Sequence, residues 1–225
     1  MTSRANPSAR FRELEGIYAR VHTGGLSQSD NPEPSSVFAG NSLLPFVDDI
    51  RAFIVSTGSK TVLDYGCGKA VIHKQHSLVL PNGKAIGSLN DYWGIDRVTL
   101  FDPGVEAYAQ LPNGRFDGVI STDVLEHVPE EDIPWVVREL FDFADRFVFA
   151  NIASYPATKT LPNGWNAHVT VKSADWWREK IMAAAKGWRG AAYCFVVSEK
   201  RSGLGRVAAK LTGQDKMRRT EIRPA

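Results

Sequence analysis

The stretch LDYGCGKA, Leu63 to Ala70, sets an acid, Asp64, two positions before Gly66, with Gly68 two further on. A glycine-rich turn after a strand lets backbone approach a ligand closely, and a following helix N-terminus favours anions or polar groups. Three kinds of cofactor site are built this way. A phosphate-cradling loop requires G-x-x-x-x-G-K-[ST]. Gly68-Lys69 supplies the GK, but Leu63 stands where the first glycine belongs, and Ala70 where a hydroxyl should hold magnesium. A dinucleotide fingerprint, G-x-G-x-x-G, would put its third small residue at Val71, which is too bulky for close helix packing. Its ribose-binding acid is due about twenty residues on, yet the next acid at a strand end is Asp102. The third kind needs an acid two residues before the first glycine, and Asp64 is there.

Two histidines are candidates for proton transfer. His127 follows the TDVLEH segment, at a strand's carboxyl end, where open α/β sheets bind ligands. It suits a general base, although Glu126 and His127 also read as caps of the next helix that shape the pocket. His168, in NGWNAHVTVK, could face the same point from the opposite wall; the plainer reading is a loop histidine bonded to backbone. Cys67, His73 and His76 match no standard zinc spacing, so no metal is expected. Trp165, Trp176 and Trp177 could form a sugar or aromatic platform, but two tryptophans on one helix more often pack in a core.

These residues need a scaffold, and the periodicities supply one. Phe11, Leu14, Ile17, Tyr18 and Val21 recur at threes and fours, predicting an amphipathic helix over 9–21. His22 to Ser36 reads as a loop. Asn41 caps a second predicted helix that runs to Thr57 and stops at Gly58. Strands are predicted at Lys60–Tyr65, Arg97–Phe101, Phe116–Ser121, Arg146–Ile152 and Ala191–Ser198, and helices at Pro129–Ala144 and Ala174–Ala185. The acids Glu130, Glu131 and Asp132 are expected in the first turn of the former helix, facing its dipole. Strands alternating with helices imply a parallel sheet covered on both faces. Residues 1–9 read as polar and loose, Leu80 to Trp93 as an inserted loop, and the tail from Lys200 to Ala225 as a short helix or a disordered end.

Asp64-Tyr65-Gly66-Cys67-Gly68 resembles the first motif, [DE]-x-G-x-G, of the class I S-adenosylmethionine (SAM) dependent methyltransferases. A further family glycine would fall at Ala70. The resemblance extends over residues 60–155. Asp102, closing VTLFD, matches the acid that accepts both ribose hydroxyls, FDGVISTDVLEHVPEED resembles the fourth-strand segment, and RFVFANIAS the fifth strand. It implies a doubly wound, mostly parallel, seven-stranded α/β sheet with an N-terminal helical extension, and SAM as methyl donor. Cofactor contacts are expected from Asp64, Tyr65, Gly66, Cys67 and Gly68, from Asp102 and Pro103, and from Thr122, Asp123 and Val124. The cationic amino group of such a cofactor wants a carboxylate nearby, and a carboxylate with two oxygens can take a diol. Between Asp102 and Phe116 the chain is too short for the usual helix, strand and helix. A stunted sheet edge follows, and Gln110 is the guess for an adenine contact.

At 225 residues the chain can bury one full core. It divides into an extension over 1–57, a SAM-binding domain over 58–200 and a basic tail over 201–225. A formal charge of +2 gives no concentrated basic face, which argues against a nucleic-acid partner. No run reaches membrane-spanning length. Two cysteines cannot form a disulfide framework, so a reducing, cytoplasmic setting is expected. The expected reaction is O- or N-methylation of a small-molecule or glycan acceptor. RNA or protein methylation, a catalytically silent SAM-binding protein and a dinucleotide oxidoreductase stand as alternatives, and no N/D-P-P-[YF] motif marks a nucleobase enzyme.

Overall fold

The computed structural model describes residues 1–24, 41–201 and 217–224. Most of the loop expected over His22–Ser36, and residues 202–216 of the tail, lie outside the described residues. The main sheet is built from β1 (Thr61–Tyr65), β4 (Arg97–Phe101), β5 (Phe116–Thr122), β6 (Ala144–Ala153), β7 (Ala192–Lys200) and β8 (Met217–Ile222). Its order is β4-β1-β5-β6-β7-β8. Every neighbouring pair is parallel except β7 and β8. This is the doubly wound, mostly parallel sheet expected, with six strands among the described residues where seven were expected. The sixth comes from the tail. Residues 217–222 are neither helix nor disordered but pair antiparallel with β7 along its outer edge.

Parallel strands bury both faces, and their side chains alternate between two cores. Leu63, Val119, Val148, Ile152 and Phe195 point to one face, under α4 (Ile133–Phe143) and α5 (Ala174–Ala185). Val62, Ile120, Phe147, Phe149 and Val196 point to the other, under α2 (Val47–Thr57). Trp177 is fully buried in the first core, as expected for a helical tryptophan. Gly118 is where β5 must be bare: a Cβ there would lie 2.0 Å from Phe147 Cε1. The large ring fills the space a side chain would take.

Several elements differ from expectation for local reasons. The helix expected from Asn41 opens as a 3-10 turn, Asn41–Phe46, because Pro45 lies inside it, and becomes α-helical only at Val47. The acids 130–132 precede α4 instead of forming its first turn. Leu80–Trp93 is no plain loop. The ribbon β2 (Leu78–Val79) and β3 (Ala85–Ile86) and a short helix α3 (Leu89–Trp93) bury Leu80, Leu89 and Trp93 in the second core. The Trp93 indole donates to the Val47 carbonyl at 3.0 Å. Downstream of the glycine loop there is only a three-residue 3-10 turn, Ile72–Lys74. Lys69 therefore does not begin a helix.

The N-terminal segment is fastened rather than loose. Thr2 Oγ1 donates to the Glu131 carbonyl at 2.6 Å, and the Ser8 amide donates to Asp132 Oδ1 at 3.1 Å. Arg4 pairs with Glu139 and donates to Tyr65 Oη at 2.6 Å. α1 (Ala9–Gly24) then crosses the carboxyl ends of the strands, packing Leu14, Ile17 and Val21 against Leu161 and Ala167. β4 is the edge strand on the side away from β8, and between it and β5 the chain makes one 3-10 turn, Glu106–Tyr108. That is the stunted edge expected.

Candidate functional site

Strand order reverses between β1 and β5, since β4 lies on one side of β1 and β5 on the other. Open α/β sheets hold ligands in the crevice at such a switch point. A cleft of about 570 Å³ opens there under α1, inside the range of roughly 300–1,000 Å³ of small-molecule sites. Tyr65, Gly66, Gly68, Asp102, Pro103, Thr122, Asp123 and Val124 line it, with His127 and His168 on the far wall.

The floor is set by Gly66, whose φ is +83°. A Cβ there would fall 2.3 Å from Val124 Cγ2. Gly66 therefore lets the β1 and β5 turns close on each other. Ala70, where a further family glycine would stand, also takes a positive φ, 50°.

Asp102 is held at the mouth of β4. The Gly68 amide donates to its Oδ2 at 2.8 Å and the Gly104 amide to its Oδ1 at 2.9 Å. Burial pushes its carboxyl up, while nearby His22 and the two amides pull it back. Each oxygen keeps a second lone pair, so the carboxylate is oriented in advance and still able to accept a diol.

Asp64 and Cys67 lie apart from the cleft lining. Asp64 turns under the 3-10 turn and its Oδ2 meets His73 Nε2 at 2.7 Å; its Oδ1 is buried with no partner among the described residues. The Cys67 thiol is buried, which pushes its pKa well up. His76 is exposed, so Cys67, His73 and His76 form no cluster. Gln110, the guess for an adenine contact, is exposed and does not line the cleft.

Glu126 and His127 do not cap α4. They sit in a 3-10 turn, Leu125–His127, where Glu126 is fully buried and its Oε1 accepts the Ala153 amide at 3.0 Å. Burial, with Asp123 nearby, pushes the Glu126 carboxyl up to about 8. His127 Nδ1 lies 2.8 Å from the Ala167 carbonyl, and Tyr18 Oη donates to the same carbonyl at 3.0 Å. Nδ1 also lies 2.8 Å from Tyr18 Oη, whose hydrogen goes to Ala167, and a carbonyl has no hydrogen to give, so Nδ1 carries the proton and the lone pair of the neutral ring is on Nε2. Burial, with the His168 ring beside it, pushes His127 down to about 3. His168 has the same pattern: Nδ1 lies 2.6 Å from the Tyr155 carbonyl. The two rings meet edge to face at 5.0 Å between centroids.

Sequence reasoning missed four contributors. Arg4 and Tyr18 reach the cleft from the N-terminal extension, and Tyr155 from beyond β6. Asn151, a polar residue inside the apolar run RFVFANI, holds Asp123. Its polarity within a buried strand was the available signal.

No family model matches this chain, and no curated protein matches it. A solved structure of magnesium protoporphyrin IX methyltransferase from Synechocystis PCC 6803, with bound SAH, is 18% identical over 92% of this chain and 74% of that one, with a TM-score of 0.34. That similarity is too slight to carry chemistry from one chain to the other.

Proposed function

We propose that this chain is a SAM-dependent methyltransferase acting on oxygen or nitrogen of a small-molecule or glycan acceptor. The observation that carries the reading is Asp102, whose two oxygens are fixed by the Gly68 and Gly104 amides at the wall of a cleft floored by Gly66. A preset carboxylate beside a glycine turn is a receptor for a ribose diol, and the cleft has room for a nucleoside with an amino-acid arm. The bound cofactor would supply an electrophilic methyl group on a sulfonium.

The protein's part is then alignment and exclusion of water, which carry much of the rate of an in-line displacement. Gly66, Val124 and Asp102 support the donor's position. The wall of Asp123, His127 and His168 is where an acceptor would approach, and its polar lining suits a polar one. The buried free thiols of Cys67 and Cys194 support a reducing, cytoplasmic setting. No helix among the described residues is long and apolar enough to cross a membrane.

Labelled-methyl transfer, screened over metabolites, glycans and RNA, tests the reading. Label in a small molecule or glycan supports it. Label in RNA or protein replaces the acceptor class, and SAM binding without transfer to any acceptor leaves a silent binder.

A further inference from the structure

The wall opposite the glycine turn gathers groups that the proposed methyl transfer does not account for. Glu126 is fully buried, and its Oε2 has no hydrogen-bond partner among the described residues. A buried carboxylate oxygen is expensive to leave unmatched. Two imidazoles stand beside it, His127 from the same turn and His168 from the loop 41 positions on. One ligand atom from each of Glu126, His127 and His168 lies within 4.8 Å of the other two.

The rings are set as metal-binding histidines are. A ligating imidazole gives its other N–H to a backbone carbonyl or a carboxylate, which fixes the tautomer and the ring plane. His127 does this through Nδ1 to Ala167, and His168 through Nδ1 to Tyr155. In each ring the lone pair is thereby assigned to Nε2. The carboxylate is supported too, by the Ala153 amide on Oε1. Asp123, three positions before Glu126 and on the cleft lining, adds negative field on the cleft side.

We infer that Glu126, His127 and His168 form a site for a divalent transition-metal ion on the wall of the cleft. Two imidazole nitrogens and one carboxylate oxygen suit zinc and the other first-row divalent ions. Bonds of about 2.0–2.2 Å hold neighbouring ligand atoms about 3–3.5 Å apart, so the shell closes by side-chain rotations of about an ångström. Three protein ligands leave coordination positions for an outside oxygen, facing the cleft. An acceptor with a hydroxyl or carboxylate oxygen is the class such a position takes. That consequence rests on the methyltransferase reading, whereas the binding of the metal does not.

The test uses the full-length chain, stripped with EDTA and titrated with Co²⁺ by calorimetry and visible absorption, with Zn²⁺ as competitor. One Co²⁺ per chain is expected, with ligand-field bands that Zn²⁺ abolishes. Glu126→Gln and His168→Ala should each weaken binding by more than about 100-fold. The exposed control His76→Ala should leave it unchanged. Circular dichroism melts check that each variant folds; if Glu126→Gln does not, His168→Ala decides. Absence of Co²⁺ binding, affinity unchanged in His168→Ala, or loss of affinity in His76→Ala overturns the site. S-adenosylhomocysteine titrated in EDTA reports the cofactor reading separately, so either idea can fail alone.

Discussion

Asp123 and Asn151 hold each other in both directions. Asn151 Nδ2 donates to Asp123 Oδ1 at 2.7 Å, and the Asp123 amide donates to Asn151 Oδ1 at 3.1 Å. The two lie at the ends of neighbouring strands, and Asp123 has a φ of 53°, uncommon for a residue with a side chain. The pair stabilises that turn and aims the carboxylate at the cleft. Asn151→Ala removes both bonds and should cost about 1–3 kcal/mol, read from urea unfolding. An unchanged midpoint would show that the turn holds without the pair.

Gly66→Ala should be costly twice over. The new methyl would meet Val124 Cγ2 at 2.3 Å, and the φ of +83° disfavours any L side chain. Together these amount to about 2–4 kcal/mol. Adding Val124→Ala relieves the collision but not the backbone strain, so the double variant should regain part of the loss in thermal melting. Equal stability of parent and single variant would remove the close approach from the account.

Asp117 ties the start of β1 to β5. Its carboxylate accepts the Lys60 and Thr61 amides at 2.7 and 3.0 Å and pairs with Arg146 at 3.0 Å. Burial alone would raise its pKa, but these bonds hold the carboxyl below the usual range. A folded-state pKa below the unfolded one gives stability that is full above the unfolded value and lost as pH falls through the folded one. Asp117→Asn should therefore cost about 1–2 kcal/mol near neutrality and converge with the parent in strong acid. A difference that persists undiminished at low pH contradicts this.

His168 lines the cleft away from Asp102 and the glycine turn. His168→Ala should lower turnover by about 100-fold or more while SAM affinity changes little. This holds whether the ring meets the acceptor itself or through a cation. Equal turnover would take His168 out of the mechanism.

The sheet was legible because strand periodicity and turn residues are local signals: KTVLDY, RVTLF and FDGVIS each announce their strand within a residue or so. Asp102, Gly66 and Gly68 were legible for the same reason, as residues ending a strand or opening a turn. The rest depended on distant pairings. Arg4 reaches Tyr65 and Glu139 across 61 and 135 positions, and nothing in its own neighbourhood marks it. Leu80–Trp93 read as a loop because of its Pro-Asn-Gly and scattered polar residues. Leu89 and Trp93 lie one helical turn apart and drive into the core, a signal too short to stand out. Glu126 read as a cap because a carboxylate before a helix often is one. Its burial comes from the 3-10 turn that folds it back toward β6. No metal was expected because Cys67, His73 and His76, neighbours along the chain, match no standard zinc spacing. The cluster that does assemble joins a turn and a loop about forty residues apart.

The most direct test of the central claim is calorimetric titration of the full-length chain with SAM, with Asp102→Ala and NAD as comparisons. The account predicts one site per chain, with a Kd of about 1–100 µM. Asp102→Ala should weaken it about 10–100-fold, the equivalent of about 1.5–3 kcal/mol for hydrogen bonds to a charged group. NAD should give no comparable heat. A parent protein as silent toward SAM as Asp102→Ala, or one that binds NAD instead, would contradict it.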